Sequence, residues 1–290
     1  MTVSTRVLGV VGAGTMGSGI AQLGCVAGLE TYMHDPVPEA LAKGEERLRA
    51  GIAKGAEKGK WAADAADHLR LAHALEDLSE CDLIIEAAPE RVDLKRDLFE
   101  QLSAIAPDAV LATNTSSILV TSLASAAARP ENVVGMHFFN PPPLMKLVEV
   151  IAAEQSGDRA VAEALGVAEL MGRQPIRAKD GPGFLVNRCN RPFGAESLRL
   201  LQEGVATHEQ IDRIVRLAGG FRMGPFELMD LVGIDVGFEV AKSFTEQSFG
   251  EPRWRPSPLQ ARMVAAGRLG RKTGRGWYEY PPGRPDDPEP

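Results

Sequence analysis

Short runs of β-branched and aliphatic residues recur through the first half of the chain, at Val7–Val11, Thr31–His34, Leu83–Ile85, Val110–Thr113, Val133–Phe138 and Leu147–Ile151. Segments with helical spacing, such as Pro38–Ile52 and Val92–Ile105, lie between most of them. Strand–helix alternation of this kind predicts a mostly parallel sheet with helices on both faces. The runs are almost continuously apolar, as strands covered on two sides must be. After Ile176 the texture changes. Gly181-Pro182-Gly183 punctuates the chain, and helical patterns follow at Asn187–Glu203, Thr207–Leu217, Phe226–Gln247 and Ser257–Ala266. Thr207-His208-Glu209-Gln210 ahead of Ile211 has capping-box spacing, which fixes one helix start. The expected organisation is an α/β domain over residues 1–183 followed by a smaller all-α domain over 184–290. Pro281–Pro290, with five prolines and no apolar anchor, is expected to fray.

Composition narrows the class. A chain of 290 residues has room for a sizeable core. Its 32 Lys+Arg against 39 Asp+Glu leave a net charge of −7, which lacks the basic footprint of a nucleic-acid binder. Cys25, Cys81 and Cys189 are odd in number and widely spaced, which predicts free thiols in a reducing compartment. No signal-peptide pattern and no membrane-length apolar run is seen, so a cytoplasmic location is expected.

The first chemical signal is Gly12-Ala13-Gly14-Thr15-Met16-Gly17, a G-x-G-x-x-G placed between an expected strand and an expected helix. The first glycine makes the tight turn, the second lets backbone approach a pyrophosphate, and the third allows strand and helix to pack closely. The helix start supplies free N–H groups for the anion. These residues predict a Rossmann-like N-terminal domain. Asp35, at the end of the second expected strand, stands where a carboxylate accepts hydrogen bonds from an adenosine ribose and repels a 2′-phosphate. No arginine occupies positions 36–38, so NAD is expected rather than NADP.

The second signal lies in VVGMHFFNPPPLMKLVEVI, residues 133–151. His137 falls at the carboxyl end of an expected strand, the edge where open α/β sheets bind ligands. Glu149 sits among apolar neighbours, so its carboxylate needs a partner, and a His–carboxylate pair makes a competent general base. Asn114-Thr115-Ser116-Ser117 follows another strand at the same edge, and caps the next helix or lines the crevice. No G-x-S-x-G elbow is present, which excludes a nucleophilic serine of that kind. The histidines show no HExxH spacing and the cysteines no CxxC, so no metal site is expected.

Taken together, GAGTMGSGIAQ, NTSS, HFFNPPPLMKLVEVI, GPGFLVNR, GPFELMDLVGID and GRKTGRGWYEY resemble the short-form L-3-hydroxyacyl-CoA dehydrogenases, including 3-hydroxybutyryl-CoA dehydrogenases, over about residues 6–280. The resemblance implies an NAD-dependent interconversion of 3-hydroxyacyl-CoA and 3-ketoacyl-CoA. It assigns His137 as base, Glu149 as its orienting carboxylate, and Ser116 and Asn187 to the substrate. It places Gly12, Gly14, Thr15, Met16, Gly17, Asp35, Glu90, Lys95, Asn140 and Lys272 at the cofactor. It implies a helical hairpin near 38–68 that holds the CoA tail, with Lys54 as a phosphate contact, and a homodimer formed through the C-terminal domain. Pro142 departs from the valine common in relatives and is expected to alter the rim of the acyl pocket. Two readings stay open beside this one: a dehydrogenase of a sugar acid such as gulonate, and a non-catalytic, crystallin-like NAD-binding protein.

Overall fold

The computed structural model describes residues 3–281, so the expectation of a frayed tail beyond Pro281 lies outside the described residues. The chain divides into two units, Met1–Phe184 and Leu185–Pro290.

The first unit is built on one eight-stranded sheet. Its strands are β1 (Val7–Val11), β2 (Glu30–His34), β3 (Leu69–Ala72), β4 (Leu83–Glu86), β5 (Val110–Thr113), β6 (Val133–Phe138), β7 (Leu147–Ala152) and β8 (Gln174–Lys179). Their order across the sheet is β3-β2-β1-β4-β5-β6-β7-β8. Every neighbouring pair is parallel except β6 and β7. The β6–β7 link, residues 139–146, contains no helix, and without a crossover the chain can only turn back antiparallel.

Strand residues alternate between the two faces of the sheet. Leu8, Val10, Leu83, Ile85, Val134 and Met136 pack in one cluster with α1 (Thr15–Val26), α2 (Pro38–Glu57) and α5 (Asp158–Leu170). Val11, Ile84, Leu111, Val133 and Ile151 pack in a second with α3 (Val92–Ile105) and α4 (Val120–Ala124). Glu86, Thr113, His137 and Glu149 have the parity of the second face, where each strand ends or turns back.

Two strands left little trace in the apolar pattern. β3 has four residues, and β8 is an exposed edge strand containing Pro175, which only an edge tolerates. The expected helical hairpin over 38–68 is one long helix, α2, followed by a 3-10 turn at Ala63–His68. Gly59, at φ +65°, turns the chain soon after α2 ends, and the short stretch that follows closes only a few 3-10 bonds.

The second unit is helical: α6 (Val186–Gln202), α7 (His208–Gly219), α8 (Pro225–Val232), α9 (Ile234–Gln247) and α10 (Pro258–Ala265). The capping box at Thr207 forms, its hydroxyl accepting from the Gln210 amide at 3.3 Å while the Gln210 side chain accepts from the Thr207 amide at 3.0 Å. The single helix expected over 226–247 is two, because Gly233 at φ +107° breaks it. Two carboxylates hold this unit together. Asp212 accepts from the Phe226 and Glu227 amides and the Tyr278 hydroxyl, and Asp230 accepts from the Trp277 and Tyr278 amides and the Tyr280 hydroxyl. Both are fully buried, so these bonds stand in for lost hydration. No helix among the described residues is long and apolar enough to cross a membrane.

Candidate active site

The loop between β1 and α1 opens at the carboxyl edge of the sheet, where the strand order reverses between β1 and β4. Its three glycines are used differently. Gly12 has φ +99°, and a Cβ there would lie 2.7 Å from the Ala87 carbonyl oxygen. A Cβ on Gly17 would lie 1.7 Å from the Gly12 carbonyl oxygen, so only glycine lets α1 close on β1. A Cβ on Gly14 would meet no protein atom within 4 Å. Nothing inside the protein requires a glycine at that position. The open space lies at the start of a twelve-residue helix with no side-chain cap and no acidic residue in its first turn. Free amides beside free volume suit a diphosphate. Thr15 is exposed there and Met16 is half-buried against the core.

Asp35 steadies this loop. One carboxylate oxygen accepts from the Ala13 amide at 2.8 Å and the other from the Val37 amide at 3.0 Å. Arg47, from α2, donates to the Ala13 carbonyl at 3.3 Å and to the Ser18 hydroxyl at 3.0 Å. No motif had singled it out. Lys54 is exposed in the last turn of α2.

Further along the same edge, antiparallel register sets His137 directly opposite Glu149. His137 Nδ1 lies 2.6 Å from Glu149 Oε2, and both side chains are buried. A carboxylate only accepts, so Nδ1 carries the proton, and in the neutral ring Nε2 is left as an acceptor. The Ser116 hydroxyl sits 3.1 Å from Nε2. The rings of Phe139 and Phe184 stand 4.6 and 5.7 Å from the imidazole centroid and wall it from water.

Ser116 is held by its neighbours. Glu90 Oε1 accepts from the Thr115 hydroxyl at 2.6 Å, from the Ser116 and Ser117 amides at 3.0 Å each, and from the Ser117 hydroxyl at 2.9 Å. Burial opposes the charge on Glu90, but the Lys95 ammonium and these donors outweigh it and hold the carboxyl below its ordinary value. Asn114 Oδ1 accepts from the Phe138 amide at 2.8 Å and ties the end of β5 to the end of β6.

The Lys95 side chain is 1% exposed, and its ammonium lies against Glu86, Glu90 and the Ala88 carbonyl. Asn140, exposed, begins the 140–146 loop, where Pro142 lies against Gly19 of α1. Asn187 and Lys272 belong to the second unit, Asn187 in the first turn of α6 and Lys272 ion-paired with Asp235 at 2.6 Å. Glu86 and Phe184 were missed, since neither lies in a motif that marks chemistry; only the unusual glutamate at the end of an apolar strand could have pointed to the first.

An anion-receiving loop at the switch point of a parallel sheet, with a histidine–carboxylate pair on the same edge, defines a dinucleotide-dependent oxidoreductase. Comparisons with known proteins agree. The family described as "3-hydroxyacyl-CoA dehydrogenase, NAD binding domain" matches residues 7–181, and its "3-hydroxyacyl-CoA dehydrogenase, C-terminal domain" matches residues 183–280. The chain is 42% identical over 277 residues to a probable 3-hydroxybutyryl-CoA dehydrogenase of Deinococcus radiodurans, covering 94% of this chain and 99% of that one. It is 39% identical over 279 residues to a 3-hydroxybutyryl-CoA dehydrogenase of Clostridioides difficile, covering 94% and 99%. The crystal structure of (S)-3-hydroxybutyryl-CoA dehydrogenase PaaH1 from Ralstonia eutropha matches with a TM-score of 0.92 at 40% identity, covering 96% of this chain and 100% of that chain. The chain belongs to the 3-hydroxyacyl-CoA dehydrogenase family, and is an NAD-dependent enzyme of that family.

Proposed function

We propose that His137 is the general base for oxidation of a short-chain (S)-3-hydroxyacyl-CoA, of the 3-hydroxybutyryl kind named for the relatives above. The observation that carries this reading is the string Ser116 Oγ, His137 Nε2, His137 Nδ1, Glu149 Oε2, spaced at 3.1 and 2.6 Å, which runs from an exposed serine to a buried carboxylate. When bound, NAD supplies the hydride acceptor. His137 Nε2 takes the proton of the 3-hydroxyl as the C3–H bond gives up its hydride, and Glu149 holds the resulting imidazolium through Nδ1–H. In the reverse direction the same proton returns to the carbonyl oxygen. Ser116 turns its hydroxyl from Nε2 to the reacting oxygen and fixes it within reach of the base.

The test is turnover by His137→Gln. General-base loss lowers kcat by about 10²–10⁴. Reduction of acetoacetyl-CoA, followed by nicotinamide absorbance, should fall by that factor while NAD still binds by calorimetry. Near-normal turnover would remove His137 as base.

The second unit supplies the surface for a homodimer. Ile214, Leu217, Leu231 and Val232 are 63%, 76%, 49% and 53% exposed on α7 and α8. Exposed apolar side chains on two helices that pack on each other support this reading. The cytoplasm is the setting we assign. Cys25, Cys81 and Cys189 are unbridged, and burial pushes the Cys25 thiol up to about 11 and Cys81 up to about 12, which leaves both unreactive.

A further inference from the structure

We infer that the second unit receives a carboxylate at the far end of the acyl chain, with Arg191 as its anchor. The favoured substrates are then CoA monothioesters of 3-hydroxy dicarboxylic acids. This deepens the dehydrogenase reading above, whose acyl chain it specifies, and rests on it.

A cavity of about 560 Å³ lies wholly within the second unit, and each of the helices α6 to α10 contributes to its lining. Small-molecule sites occupy about 300–1,000 Å³. Phe193, Leu198, Phe221, Met229 and Trp254 give it apolar walls. Its charged lining is of one sign. Arg191, Arg199, Arg253 and Arg255 line it, and among the described residues no aspartate or glutamate does. The chain as a whole has 39 acidic side chains against 32 basic ones, so the cavity runs against the average. A cleft lined by one sign of charge concentrates the opposite one.

Two of these cations are already paired outside the lining, Arg199 with Glu196 at 3.1 Å and Arg253 with Glu251 at 3.0 Å. Arg191 is not. Its Nη1 donates to the Gly237 carbonyl at 3.3 Å, and its guanidinium carbon stands 5.2 Å from the centre of the Phe244 ring. Its Nε is buried without a hydrogen-bond partner. Burial alone pushes the guanidinium down to about 10, and no carboxylate opposes that push. A desolvated donor with no acceptor costs free energy that a ligand can return. The Phe244 face and the Gly237 carbonyl fix the plane of the fork and leave its other donors for a planar anion. A carboxylate has the matching geometry.

The acyl chain supplies the stem. Asn187, the expected substrate contact, lines the same cavity four residues before Arg191 on α6. The two positions share a helix face and differ by about 6 Å of rise, the span of a few methylenes. A chain laid along that face has its methylenes against apolar walls and its end at the guanidinium. A methyl end leaves the cation unpaired, whereas a carboxylate end pairs it.

The test compares (S)-3-hydroxyadipyl-CoA with (S)-3-hydroxyhexanoyl-CoA, which differ only in a terminal carboxylate against a methyl. Wild-type kcat/KM should favour the adipyl thioester by about ten-fold or more. Arg191→Leu should lower kcat/KM for that thioester by about 10- to 100-fold, the effect of losing bonds to a charged group. It should raise the value for the hexanoyl thioester by about three-fold, because an apolar end no longer meets an unpaired cation. Arg191→Gln keeps a donor for Gly237 and serves if the leucine protein does not fold; it should shift the ratio the same way by about ten-fold. Calorimetric Kd values for both thioesters without NAD should show the same reversal, and need no turnover. Equal wild-type kcat/KM for the two thioesters, or equal losses on both in the variants, would overturn the assignment. So would an altered oligomeric state of Arg191→Leu by light scattering with the substrate ratio unchanged, which would give the guanidinium to a carboxylate of a second copy of the chain. A wild-type protein that binds the thioesters and oxidises neither would sink the dehydrogenase chemistry, and the Kd values alone would then decide the cavity.

Discussion

Asp35 faces in two directions at once. Its carboxylate holds the Ala13 and Val37 amides, and it follows directly on β2, at the carboxyl edge of the sheet. Hydrogen bonds to a charged acceptor are worth about 1.5–3 kcal/mol. Asp35→Ala should therefore raise KM for NAD by about ten-fold, through a loosened loop and a lost ribose acceptor. The same change removes the charge that repels a 2′-phosphate, so KM for NADP should rise less or fall, and the two nucleotides should converge. Steady-state KM for both cofactors measures this, and an unchanged ratio would remove the role. His137 and Glu149 were legible at this scale because each stood out as a polar residue in an apolar strand. Lys95 was legible only as a position in a motif. Its burial depends on where α3 lands relative to β4 and the 115–117 turn, and no periodicity in the chain encodes that.

At the scale of elements, the glycine loop separates packing from binding. A methyl on Gly17 would collide with the Gly12 carbonyl, backbone against backbone, and α1 would have to back away from β1. Overpacking of this kind costs about 1–3 kcal/mol. A methyl on Gly14 would meet nothing of the protein. Gly17→Ala should lower both Tm and NAD affinity, whereas Gly14→Ala should leave Tm at wild type and weaken NAD alone. Calorimetric melting and NAD titration on the pair would show it, and a wild-type NAD affinity in Gly14→Ala would count against the diphosphate site. Six strands and most helices followed from apolar period, because strands buried on both faces must be apolar throughout. β8 escaped since an edge strand is wet on one side, and the break between α8 and α9 escaped since Gly233 disrupts the backbone without disturbing the apolar period that spans it.

At the scale of the molecule, each unit has its own core: the two sheet faces in the first, and the cluster of Leu198, Ile211 and Phe226 in the second. The second core is small for its length, and much apolar surface remains outside it. A dimer through α7 and α8 would cover that surface. Leu217→Glu combined with Val232→Lys should give a monomer by light scattering, without loss of helix by circular dichroism. A wild-type protein that is already monomeric would refute the assembly. The chain's division near residue 184 was marked by Gly181-Pro182-Gly183, but the exposed face gave no separate sign, since core and contact surface share one period.

Anyone shortening or extending this polypeptide meets a rule set by Asp230. A stop introduced ahead of Trp277 would strip that enclosed anion of two main-chain donors and one phenol, and would take another phenol from Asp212. A stranded interior charge costs about 3–5 kcal/mol, which rivals the net stability of a small domain. Fusions and affinity tags therefore belong after Tyr280, and a protease that trims past it would release helices without a clasp.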